Sequence, residues 1–301
     1  MRLILLLGCG PDPTPPPLLW ESPSEGRDAF FAALETGDYA ALDGVLEQLQ
    51  DEDDPASDAV AGFAHAWKLA ESQRDLSDPA VREHAGLAVA AFDAALEELD
   101  DPRLVGFRGS FKQAQGSIED SARLQRQGWF DQNEATRRWP EWGLFNQAYG
   151  LITFSPDERR FEGGIDLFWE NLDACAGEAV DREDPDWLAR VDTVESADWR
   201  VRRACSNTDV APHNAEGFFI VMGDMAAKGG DTPLAATLYD TALQLDDGTW
   251  PYRGLAEDRL ARVDELPERF ADPAPRDEAV ALEDQVVFTS QASCTVCHQA
   301  R

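Results

Sequence analysis

The chain is 301 residues long, with 58 acidic against 26 basic residues and a formal charge of -32. Such a surface repels phosphate backbones, which sets nucleic acid aside as a partner and leaves cationic proteins; its simplest role is solubility. Hydrophobic residues at 43% exclude wholesale disorder. No apolar run is long enough to span a bilayer, and the length suits two modest domains or one elongated array.

The chain begins MRLILLLGCG, in which Arg2 precedes a Leu/Ile run that ends at Leu6-Leu7-Gly8-Cys9. This stretch resembles the lipobox of bacterial lipoproteins, with an apolar run shorter than the usual export signal. The resemblance implies that residues 1–8 are a lipoprotein signal and that Cys9 carries a lipid anchoring the protein to a membrane. Gly10, rather than Asp, follows Cys9, which favours the outer membrane of a bacterial cell envelope, facing the periplasm. Residues 9–25 form a tether: six prolines between Pro11 and Pro23 prevent helix and strand alike and keep the segment extended.

From residue 26 to 266 the pattern is helix after helix. Helices are expected over Gly26–Thr36, Tyr39–Gln50, Ser57–Arg74 and Pro79–Asp100. In the last, Leu87, Ala91, Ala94, Ala95 and Leu99 fall on one stripe. Trp139-Pro140 must break a helix. The tryptophans between Trp129 and Trp199 are expected to pack between helices, or to line an aromatic pocket or haem edge. No run shows sustained strand alternation, so the fold class is all-α.

The clearest local pattern comes late. Phe219, Met222 and Gly223 are followed by Gly229-Gly230-Asp231 and then by Ala235, Tyr239 and Ala242. This unit resembles the tetratricopeptide repeat, in which small residues let two helices approach and an aromatic fills the space beside them. Weaker echoes lie at Leu34–Leu49 and at Ala88, Phe92 and Ala95. The resemblance implies an irregular α-solenoid of helical hairpins or a compact two-lobed helical body.

Residues 267–278 read as a second proline-rich linker, followed by one short helix within Glu278–Thr289. Residues 279–301 carry Cys294-Thr295-Val296-Cys297-His298. This resembles the attachment motif of c-type cytochromes, whose two sulfurs reach the two vinyl groups of one porphyrin while the adjacent histidine reaches the iron. The resemblance implies one haem c bound by Cys294, Cys297 and His298. The same residues also suit a redox-active disulfide or half of a zinc site. His213, pinned after Pro212, is the preferred sixth iron ligand, against a helix-start histidine bonded to backbone. His65 reads as a core histidine, His84 as exposed, and Met222 and Met225 as core. Cys175 and Cys205 remain as an even pair, either a disulfide or two buried thiols.

No nucleophile–base pair or phosphate loop stands out, so electron transfer or redox sensing with a protein partner is expected ahead of catalysis. The alternative is a tetratricopeptide-like interaction scaffold of the envelope without haem, in which Cys294 and Cys297 form a disulfide.

Overall fold

A computed structural model describes residue 19 and residues 24–72, 79–271 and 280–300. The lipobox with Cys9 and most of the tether lie outside these residues. Among the described residues the chain is all-α, without strands, and consecutive helices pack as antiparallel hairpins.

The first core is built by α1 (Glu25–Thr36), α2 (Leu42–Gln50), α3 (Pro55–Ser72) and α4 (Pro79–Ala95). Ser24 caps α1 by accepting from the Arg27 amide. Gly37, at φ 67°, ends it in the left-handed region that a side chain rarely adopts. The buried face gathers Phe30, Leu42, Leu46, Val60, Trp67 and Phe92.

Next come α5 (Pro102–Ile118) and α6 (Ala122–Arg138), the most closely paired helices of the molecule. Asp101 and Ser121 cap them. Trp139 and Pro140 separate α6 from α7 (Pro140–Leu151), as the dipeptide requires.

The second core takes α7 with α8 (Arg159–Ala176), the short α9 (Val191–Ser196) and α10 (Trp199–Cys205), then α11 (Asn214–Lys228) and α12 (Thr232–Leu245). The turn between α11 and α12 is Gly229-Gly230-Asp231, where the repeat-like pattern places it. A methyl group on Gly223 would lie 2.5 Å from the Tyr239 ring, so the small residue and the aromatic meet across the hairpin. Met222 and Met225 are both core residues. Trp139, Trp169 and Trp187 are also buried. Trp129, by contrast, stands exposed beside Phe130 on α6.

Helix α13 (Arg253–Ala261) leads to α14 (Leu266–Phe270), which buries Leu266 and Phe270. The proline-rich stretch is therefore helical at its start, because Pro267 falls in the first turn, where it is tolerated. Residues 272–279 lie outside the described residues.

The single helix expected up to Thr289 is replaced by two 3₁₀ turns, Leu282–Asp284 and Val287–Thr289. The reason is a competing set of partners. The Val287 amide donates to Asp224 Oδ2 at 2.7 Å and the Gln285 carbonyl accepts from Arg259 Nη2 at 2.7 Å, so neither serves an internal helix. One turn of helix, α15 (Thr295–His298), closes the described chain.

Candidate functional site

The last segment folds back onto both cores. Cys294 packs against the first core and Cys297 against the second, so the two residues between the sulfurs bridge the halves of the molecule. Four anchors hold the segment. Tyr149 donates its hydroxyl to the Ser293 carbonyl at 2.6 Å. Trp250 Nε1 donates to the Val296 carbonyl at 2.9 Å. The Tyr252 hydroxyl meets Thr295 Oγ1 and donates to Gln299 Oε1. Finally, the Ala300 amide donates to the Glu35 carbonyl at 3.0 Å, which ties the tail to the end of α1.

Upstream, a buried charge cluster fixes the register of this return. Asp224 and Arg259 pair at 3.1 Å with both side chains fully buried. Tyr239 donates to the same carboxylate at 2.9 Å. Burial pushes the Asp224 carboxyl up while Arg259 pulls it down, and burial raises the Tyr239 hydroxyl well above its ordinary range. The buried carboxylate is compensated by the Arg259 charge and accepts from both the Tyr239 hydroxyl and the Val287 amide.

The site itself forms where α15 meets the loop before α11. Cys175 at the end of α8 and Cys205 at the end of α10 lie at disulfide distance, Cα to Cα 5.9 Å, and are joined. The loop that follows is held by Asn214 Nδ2, which donates to the Ala204 and Ser206 carbonyls at 3.0 and 3.2 Å. Its turn carries the Val210 carbonyl to His298 Nδ1 at 2.6 Å. Three residues on, the His213 amide donates to the Cys297 carbonyl at 3.1 Å. Cys297 lies directly on Gly217 of α11, where any side chain would occupy the sulfur's place.

Of the residues singled out in the sequence, Cys297 and His298 are thus tied to the loop carrying His213, through the His213 amide and the Val210 carbonyl, while Cys294 lies against the first core. Neither Cys294 nor Cys297 is disulfide-bonded. Burial, with the Glu216 carboxyl and the Cys294 thiol adding to it, pushes the Cys297 thiol up to about 12. Burial also lowers the His298 imidazole, which keeps it neutral. A neutral ring whose Nδ1 faces a backbone carbonyl carries its proton there and leaves the lone pair on Nε2. His213 is buried, and its Nδ1 has no hydrogen-bond partner, with Glu216 Oε1 3.5 Å away. It is the cap residue of α11, but its side chain does not bond the helix backbone.

Other candidates fall elsewhere. His65 is buried as expected, and burial, with His84 and Lys68, lowers it to about 4. His84 is half-buried against it rather than standing on an open polar face, because α3 and α4 pack closely. The disulfide removes Cys175 and Cys205 as partners for a four-cysteine zinc site. Among the described residues no group of three or more His, Cys, Asp or Glu is placed to hold a metal ion. Sequence reasoning missed the Val210 carbonyl, a backbone acceptor that no residue type announces. Comparison with models of known protein families, with curated proteins and with solved structures finds no match.

Proposed function

We propose that the chain is an exported, lipid-anchored protein of a bacterial envelope that carries one covalent haem c at the junction of its two helical cores, for electron transfer or redox sensing. The observation that carries this reading is the 2.6 Å approach of His298 Nδ1 to the Val210 carbonyl, one residue from a thiol that is not disulfide-bonded. That contact gives an iron-ligating imidazole the tautomer and orientation it needs. Cys294 and Cys297 would hold the group through thioethers, and His298 would be the proximal ligand. The unpartnered Nδ1 of buried His213 suits a second axial ligand. Bound there, the group supplies one-electron chemistry at an iron whose potential the axial ligands and burial set.

The residues around it do the rest. The disulfide and the Asn214 bonds stiffen the loop that presents the Val210 carbonyl and His213. Tyr149 holds the Ser293 carbonyl just before α15, and Trp250 and Tyr252 hold α15 itself, which would keep the two sulfurs in place. The acidic surface would steer a cationic redox partner to this junction.

The test is an absorbance spectrum of protein exported by a host that attaches haem. A Soret band that survives acid–acetone extraction, and is lost in the Cys294→Ala, Cys297→Ala double variant, supports the reading. Colourless protein with an oxidised Cys294–Cys297 pair would instead make the chain an interaction scaffold of the envelope.

A further inference from the structure

The chain has four histidines. Two lie at the candidate haem site. The other two, nineteen positions apart in sequence, meet far from any expected motif: His65 Nδ1 on α3 lies 3.2 Å from His84 Nδ1 on α4, with ring planes tilted by 31°. We propose that His65 and His84 form a two-imidazole site for a first-row divalent cation of the Cu²⁺ or Zn²⁺ class, independent of the haem.

The spacing suits this chemistry. Imidazole nitrogens about 2.0–2.1 Å from one ion stand about 2.9 Å apart at a right angle and about 3.4 Å apart in a tetrahedron. The observed separation falls between these values. The two nitrogens now share a hydrogen bond, so an ion cannot sit on the line between them. It enters from the side as the half-buried His84 ring turns, while His65 stays fixed in the wall of the first core.

The protonation state also favours it. Burial and the neighbouring charges keep His65 neutral, which is the ligating form. The ring that donates across the pair moves its proton from Nδ1 to Nε2 on binding, which frees its Nδ1 lone pair. Lys68, one turn beyond His65, would repel a cation, but it is bonded to Asp43 Oδ1 at 2.7 Å. Lys68, with a smaller contribution from His84, holds that carboxyl below its ordinary range. Water fills the remaining positions. With only two protein ligands the site discriminates by softness and intrinsic affinity, and Cu²⁺ stands first in that order.

The test is Cu²⁺ titration of the full chain carrying Cys9→Ala, Cys294→Ala and Cys297→Ala, which removes every thiol outside the disulfide and any haem, with circular dichroism as the folding control. Electron paramagnetic resonance is expected to show one bound Cu²⁺ split by two nitrogens. His84→Asn, at a half-buried position, should weaken binding about tenfold or more and remove one nitrogen coupling. His298→Asn should change neither. Absence of a two-nitrogen signal, or its survival in His84→Asn, would overturn the proposal. Neither result depends on whether haem attaches to the unsubstituted protein.

Discussion

The α5–α6 and α11–α12 hairpins are both tightly packed, yet they use opposite chemistry. In α11–α12 a small residue receives an aromatic ring: Gly223 lies under Tyr239, and nearly every α11 residue is buried. In α5–α6, glycine meets glycine. A methyl on Gly109 would lie 2.7 Å from the Gly128 carbonyl, and one on Gly128 would strike the Gly109 carbonyl. Around that crossing the contacts are polar: Gln113 with Gln132, Gln132 with Ser110 at 2.9 Å, and Arg108 and Lys112 on Asp131. The first hairpin gains from removing apolar area from water. The second relies on close backbone approach and directional bonds, and it spans the two apolar cores as a polar connector. The candidate site is built on the apolar hairpin, where Gly217 of α11 receives Cys297.

The largest effect expected from breaking this contrast is at Asp224. Asp224→Ala leaves the buried Arg259 charge without its counter-ion and frees the Val287 amide, so urea denaturation should show a loss of about 3–5 kcal/mol. The same variant should loosen the tail and expose Cys297 to thiol reagents. Next is Gly128→Ala. The added methyl meets backbone that cannot yield, and a loss of about 2–3 kcal/mol is expected despite the better helix propensity of alanine. Gly223→Ala should cost less, about 1 kcal/mol, since a ring can shift where a carbonyl cannot. Equal losses at the two glycines would erase the distinction drawn between the hairpins.

The most gradual effect comes from pH at the α3–α4 hairpin. His65 is lowered to about 4 in the folded protein, against about 6.5 when unfolded. Between these values the unfolded chain binds more protons. Stability contributed by neutral His65 is therefore complete above pH 6.5 and lost as pH falls toward 4, at no more than about 1.4 kcal/mol per pH unit. Denaturation midpoints followed across that window should flatten in His65→Asn.

The sequence made one hairpin legible and hid the other. Gly223, Tyr239 and the Gly229-Gly230-Asp231 turn announce α11–α12 because size and turn chemistry are properties of residue type. The α5–α6 pairing leaves no such trace, since its contact face is glycine, glutamine and serine rather than an apolar stripe. The Cys175–Cys205 pair was readable as chemistry, and so was the spacing of Cys294, Cys297 and His298. Their setting was not. A carbonyl at Val210 and an amide at His213 belong to every residue alike, and only the fold brings them to Cys297 and His298. The same holds for His84, whose neighbours Arg82 and Glu83 are exposed while its own ring turns inward to His65.

Intact-mass measurement of the protein purified from an exporting, haem-attaching host tests the central claim most directly. The expected mature species exceeds the processed, lipid-modified polypeptide by one haem, and Cys294→Ala with Cys297→Ala removes that increment. A wild-type mass equal to the lipid-modified polypeptide alone would contradict the account.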